Sequence, residues 1–160
     1  MPLLSSLLNW VSSHRLHSIE LFRKYPAETQ YDTLHTIISK ARETVYGKKY
    51  DFDKIKSIKD FQQNVPVVDY EGLKPYIDRQ RAGENNVLWP TDIRWFAKSS
   101  GTTQDKSKFV PVSMEALEEC HFRGGRDVLS IYSNLYPDHR LFSGKDLTIG
   151  GSHQIDNVSM

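Results

Sequence analysis

The sequence predicts an α/β chain in which helices come first and the beginning of an incomplete sheet follows. Two patterns carry that reading. Through about residue 90, apolar residues recur at spacings of three and four between proline, glycine and capping signals, the period of helices that bury one face. From Ile93 the order becomes strand, polar loop, strand, helix, strand, marked by clusters of β-branched and aromatic residues. The division that follows is a helical segment over 1–90 and the start of an α/β subdomain over 91–160.

Leu4, Leu8, Val11, Arg15, Ile19 and Phe22 lie on one helical face, with one basic interruption, and Tyr25-Pro26 closes that helix. Pro26 also suits the first turn of a second helix, whose face is Tyr31, Leu34, Ile37 or Ile38, Ala41 and Val45, with Gly47 as its stop. Ser57 and Asp69 are expected to cap two further helices, the second reaching about Arg81 and stopping at Gly83. Between them Val65 is pushed out of the helical region by Pro66, so 65–68 is extended. Asp78-Arg79-Gln80-Arg81 reads as a solvated helix end.

Residues 93–97 and Phe109-Val110-Pro111-Val112 are the first two strands, with Trp89 and Trp95 expected in the core. Ser113 caps the next helix, whose face runs through Leu117, Cys120 or His121, Gly124, Val128, Ile131 or Tyr132, and Leu135. Gly124-Gly125 inside it implies a close backbone approach. Asp146-Leu147-Thr148-Ile149 is a third short strand, ending in Gly150-Gly151-Ser152-His153.

Charge excludes one class of partner. With 21 Lys+Arg against 20 Asp+Glu the formal charge is +1, too balanced for a non-specific nucleic-acid binder. The apolar runs are a few residues long, far below the roughly 20 that cross a bilayer, and residues 1–8 lack the basic flank of a signal peptide. No nucleic acid and no membrane are therefore expected, and a cytoplasmic location is. The one cysteine, Cys120, has no internal partner and reads as packing. His14, His17 and His35 have no ligand-spaced Cys or carboxylate beside them and read as a solvated face, so no metal site is assigned to residues of the chain.

The segment that carries chemistry is Lys98-Ser99-Ser100-Gly101-Thr102-Thr103-Gln104-Asp105-Lys106-Ser107-Lys108. A polyphosphate calls for backbone N–H groups that a glycine lets turn inward, hydroxyl donors and a cation, and this loop offers all three. Composition alone also fits an ordinary polar hairpin. It is not the P-loop of kinases and GTPases, because Gly101 is followed by Thr102-Thr103 and the last lysine leads into a strand. Nor is it a dinucleotide fingerprint, since no Gly-x-Gly-x-x-Gly follows a strand.

Ser99-Ser100-Gly101-Thr102-Thr103 followed by Lys108-Phe109-Val110-Pro111 resembles the first ATP-binding motif of the Gretchen-Hagen-type acyl acid amido synthetases. This auxin-responsive promoter family is a branch of the acyl-adenylate-forming superfamily. Tyr46-Gly47-Lys48-Lys49-Tyr50, Val65-Pro66-Val67-Val68-Asp69-Tyr70, Leu88-Trp89-Pro90-Thr91 and Gly150-Gly151-Ser152-His153-Gln154 are similar to the family's N-terminal region, bacterial members above all.

The resemblance implies that 91–160 begins the ATP-binding subdomain of an adenylate-forming enzyme, both segments belonging to one large N-terminal domain. It implies an ATP- and Mg2+-dependent ligase that activates a carboxylic acid as its adenylate and passes the acyl group to an amine or amino acid. By position, Ser99, Ser100, Gly101, Thr102 and Thr103 would wrap the phosphates, and Lys108 would be the motif's terminal lysine. Gln104-Asp105 stands where the family usually has a further glycine, so Asp105 points away from the nucleotide, is offset by Lys106 and Lys108, or weakens binding. Ser152 and His153 would line an acyl pocket; the alternative is a strand-ending turn with an exposed histidine. The family's metal-binding and ribose motifs lie beyond residue 160, so the chain alone is expected to be inactive. The rival reading is a non-catalytic phosphate-sensing or protein-interaction module, and a weaker one is an ATP-dependent phosphotransferase.

Overall fold

The computed structural model describes residues 15–99, 107–137, 139, 141, 145 and 147. Helix α1 occupies residues 15–24. Helix α2 (Pro26–Ala41) follows directly, with Pro26 in its first turn, where a missing N–H costs nothing. Ile38 and Ala41 are its buried residues, and Leu34 packs beside them.

Helix α2 stops at Ala41, not at Gly47. Thr44 caps a short helix α3 (Val45–Lys49), and Gly47 lies inside it. Thr44 is fully buried; its hydroxyl donates to the Ala41 carbonyl at 2.6 Å and accepts the Gly47 N–H at 2.9 Å. A Cβ on Gly47 would meet the Ala41 carbonyl oxygen at 2.1 Å. The glycine is therefore there for close approach of two helices and is not a stop signal, because the carbonyl it accommodates belongs to the preceding helix.

A 3-10 turn (Phe52–Lys54) leads to α4 (Ile58–Asn64), where the Ser57 hydroxyl accepts the Asp60 N–H at 3.1 Å. Helix α5 (Tyr70–Arg81) is capped by Asp69, whose Oδ1 accepts the Gly72 N–H at 2.9 Å. It ends as expected before Gly83, which has φ +89°. Pro75 sits inside α5 and makes no bond to the preceding turn. The chain then returns to the core: Val45 and Tyr46 donate to the carbonyls of Asn86 and Val87 at 3.0 Å, and Val87 is fully buried. The central cluster is Ile38, Ala41, Phe52 and Ile55, with Tyr46, Tyr50, Phe61, Val65 and Trp89 against it.

Strands β1 (Trp95–Lys98) and β2 (Phe109–Val112) form an open antiparallel pair, with Trp95 opposite Val112 and Lys98 opposite Phe109. Ser113 then caps a long helical stretch, its hydroxyl accepting the Ala116 N–H at 3.1 Å. This stretch begins as α6 (Met114–Ala116), widens to a π-helical segment (Leu117–Phe122) and resumes as α7 (Arg123–Leu135). The widening shows in the Arg123 N–H, which reaches the Glu118 carbonyl five residues back. The Arg15 guanidinium grips the Asp127 carboxylate with two hydrogen bonds, the longer at 2.8 Å, tying α1 to α7.

Several expectations change in this part of the molecule. Trp95 is 51% exposed, because the two-stranded sheet has no covering layer there among the described residues, whereas Trp89 is half-buried as expected. Val128 and Leu135 are 67% and 65% exposed, while Ser130 is the buried residue of α7. The extra residue of a π turn rotates everything after it, so a face drawn at constant period from Leu117 is displaced. Cys120 is exposed and does not pack. Added Cβ atoms at Gly124 and Gly125 would meet nothing within 4 Å among the described residues, so no close approach explains them there. Gln80 is buried, which makes the 78–81 stretch only partly solvated. The predicted strand at 146–149, apart from Leu147, and the face of the first helix before residue 15 lie outside the described residues.

Candidate functional site

The β1–β2 ribbon holds the base of the hydroxyl-rich loop. Beyond the last paired residues the Ser99 N–H donates to the Lys108 carbonyl at 2.9 Å, and the Lys108 N–H donates to the Ser99 hydroxyl at 3.2 Å. Ser99 and Lys108, the two ends of the expected phosphate segment, thus lie directly across from one another. Ser100, Gly101, Thr102 and Thr103 lie outside the described residues, as do Gln104, Asp105 and Lys106 and the expected pocket residues Ser152 and His153.

In an antiparallel ladder, bonded and non-bonded pairs alternate. With Ser99 and Lys108 as a bonded pair, Phe109 and Pro111 turn their backbone nitrogens away from β1. Pro111 has no N–H to leave unpaired, which is why an edge strand tolerates it. The Phe109 N–H does need an acceptor and finds one in the Tyr70 hydroxyl at 3.0 Å. Tyr70 is the first residue of α5, so the Asp69 cap fixes the backbone from which its ring projects. From the same helix the Arg81 guanidinium stacks on the Phe109 ring at 3.9 Å.

The Lys108 side chain is exposed, with its ammonium 5.6 Å from the centre of the Tyr70 ring. Among the described residues no carboxylate pairs with it. The hydroxyl of Ser99 keeps its own proton to donate while accepting from Lys108. Among the described residues, the base of the loop carries an exposed serine hydroxyl and an exposed lysine ammonium.

A second polar cluster lies where the 88–91 segment meets the start of α6. Thr91 donates to Glu115 at 3.3 Å, and the Glu115 carboxyl is held below the usual carboxylate range by its own backbone N–H, with Trp89, Ser113 and Thr91 contributing. The buried Trp89 indole N–H makes no hydrogen bond of good geometry among the described residues. Sequence reasoning missed Tyr70 and Arg81 as neighbours of the loop's base; nothing local marks them, because Tyr70 stands 39 residues from the amide it holds. His17, His35 and His121 are exposed, and no group of three His, Cys, Asp or Glu among the described residues is arranged as a metal cage. No described helix is long and apolar enough to cross a membrane.

A helical layer followed by an open two-stranded antiparallel ribbon is the start of an α/β domain with an incomplete sheet. The chain belongs to the GH3 family: the family model described as "GH3 family N-terminal domain" matches residues 15–157. Its sequence is 34% identical over 122 residues to an indole-3-acetic acid-amido synthetase, GH3.2, of Arabidopsis thaliana, covering 73% of this chain and 22% of that protein. It is 31% identical over 104 residues to jasmonoyl–L-amino acid synthetase JAR4 of Nicotiana attenuata, covering 64% of this chain and 18% of that protein. The solved structure of GH3.15 acyl acid amido synthetase superposes with a TM-score of 0.68 at 26% identity, over 75% of this chain and 22% of that one. The fold is accordingly that of the GH3 N-terminal adenylate-forming domain, with an incomplete sheet.

The chain spans about 22% of the length of the first of these relatives. The expectation of a bacterial-type member is overturned, because the relatives found are proteins of Arabidopsis thaliana, Nicotiana attenuata and Oryza sativa. The resemblance is to the plant-type synthetases. In this chain Tyr46 and Tyr50 pack on the core and Gly47 lies against the Ala41 carbonyl, local packing needs that do not mark a branch.

Proposed function

We propose that this sequence belongs to an ATP-dependent acyl acid amido synthetase and carries its first phosphate-binding loop. A carboxylate oxygen of the acid attacks the α-phosphorus of ATP, the bond to the bridging oxygen breaks and pyrophosphate leaves. An amine then attacks the acyl carbon of the adenylate, AMP departs and a proton is lost from nitrogen, leaving an amide. Both steps build charge on phosphoryl oxygens, and donors already oriented toward that charge lower the barrier. Mg2+, when bound, supplies part of that neutralisation.

In this reading Ser99, Ser100, Gly101, Thr102 and Thr103 wrap the phosphates and Lys108 supplies the cation. Ser152 and His153 belong to the acyl pocket. The substrates are a small carboxylic acid and an amine or amino acid, the classes named by the indole-3-acetic acid-amido and jasmonoyl–L-amino acid synthetases. Residues 1–90 and 91–160 are helical and ATP-binding portions of one large N-terminal domain, a grouping supported by the contacts of α5 with β2. The lone cysteine and the absence of a long apolar helix among the described residues support a cytoplasmic location.

The observation that carries the proposal is the register that sets Ser99 against Lys108 while leaving the Lys108 ammonium without a carboxylate partner among the described residues. The test is carboxylic acid-dependent exchange of pyrophosphate into ATP by the full-length protein. Lys108→Ala should reduce it roughly 100-fold, the scale of losing one preorganised charge contact, and Ser100→Ala should reduce it less. Unchanged exchange in both variants would show the loop assignment to be wrong. The 160-residue chain alone should show no exchange.

A further inference from the structure

We infer that Tyr70 is a positioning residue for Lys108, coupling the start of α5 to the phosphate-binding cation; the inference rests on the proposed role of Lys108. Two separate contacts carry it. The Tyr70 hydroxyl accepts the Phe109 N–H at 3.0 Å, so the amide immediately after Lys108 is tied to α5. The Tyr70 ring lies 5.6 Å from the Lys108 ammonium, within the range at which a ring face attracts a cation.

On the opposite side the Lys108 N–H and carbonyl are held by Ser99. Lys108 is thereby fixed from both flanks: its main chain by β1, the following amide by Tyr70, and its side chain by the Tyr70 ring. The second contact between the Tyr70 hydroxyl and Phe109, to its carbonyl, is 3.5 Å and too long to hold the strand, so the amide is the bond that matters. Arg81 stacked on the Phe109 ring keeps that residue from swinging away from α5. A lysine on an exposed edge strand would otherwise sample many rotamers, and each must be given up when it binds phosphate. Tyr70 restricts that freedom beforehand without occupying the charge, which a carboxylate in the same place would do.

The experiment measures ATP affinity by calorimetry in full-length protein bearing Tyr70→Phe, Lys108→Ala, or both, with the KM for the acid recorded alongside. Tyr70→Phe keeps the ring and removes the acceptor. It should weaken ATP about five-fold, the factor for one net hydrogen bond, leave the acid KM unchanged, and have no further effect once Lys108 is alanine. Tyr70→Leu, which also removes the ring, should weaken ATP further; if that variant does not fold, Tyr70→Phe decides alone. The inference is overturned if Lys108→Ala weakens ATP while Tyr70→Phe does not, or if the two effects simply multiply or extend to the acid KM, since a general structural role would do that. If Lys108→Ala itself leaves ATP affinity unchanged, the reading of the loop fails first.

Discussion

Residues 26–89 and 95–136 differ in what their apolar side chains do. In the first stretch Ile38, Ala41, Phe52 and Ile55 are buried around one centre, and Leu34, Tyr46, Phe61 and Trp89 close over it. In the second, Trp95, Val110, Phe122, Val128, Leu135 and Tyr136 are all more than half exposed. Among the described residues, directed contacts join the second stretch to the rest: Arg15 with Asp127, Tyr70 with Phe109 and Lys108, Arg81 with Phe109, and Thr91 with Glu115. One region is therefore stabilised by burial, which is insensitive to direction, and the other by hydrogen bonds and ion pairs whose geometry is specific. The proposed phosphate loop springs from the second kind of region, where its base is set by a few named bonds.

The largest expected effect tests the first region. Gly47→Ala would place a methyl group 2.1 Å from the Ala41 carbonyl oxygen, and the fully buried Thr44 beside it leaves little room to relax. It should cost about 3 kcal/mol, at the upper end for overpacking, read as a fall in the denaturant midpoint. If the variant is as stable as the unsubstituted chain, the close packing of α2 on α3 is not what holds this region together.

Asp127→Asn tests the second region next. The Arg15–Asp127 pair is bidentate with side chains 18% and 23% exposed, so losing it should cost about 1–2 kcal/mol after allowance for solvent. The hydrogen bonds from Arg15 hold the Asp127 carboxyl below the usual aspartate range. A carboxyl with a lowered folded pKa stabilises above its unfolded value, near 3.9, and loses that contribution as pH falls through the folded one. The difference between variant and unsubstituted chain should therefore be full at neutral pH and vanish in acid. A difference independent of pH would mean that packing, not charge, joins α1 to α7.

Asp69→Ala removes the cap of α5 and should cost about 1 kcal/mol by circular dichroism melting. Because Tyr70 follows directly, hydrogen exchange at the Phe109 amide should also speed up. Smallest is Leu135→Glu: at 65% exposure it should change the stability of the 160-residue chain by less than about 0.5 kcal/mol. A much larger loss would show that the apolar face of α7 is covered and would erase the contrast between the two regions.

Features set by neighbours along the chain are legible in the residues themselves. Ser57, Asp69 and Ser113 cap helices because a side-chain oxygen reaches an N–H three residues on, within a single turn. Strand β2 is readable as Phe109–Val112, and the loop that precedes it is recognisable by its hydroxyls, glycine and lysines. Burial is legible at Ile38 and Ala41, where the helical period runs unbroken. It fails at Leu135, where a π turn shifts the face, and at Trp95, whose burial depends on a layer that the local sequence does not specify.

The sequence by itself determined most of the helices and the two strands, the Ser57, Asp69 and Ser113 caps and the composition of the loop, because each depends on atoms within a few residues of one another. Tertiary structure decided that Gly47 serves close packing and that Tyr70 meets the amide beside Lys108. Those contacts join residues of different elements, and their geometry exists only once separate helices and strands have packed.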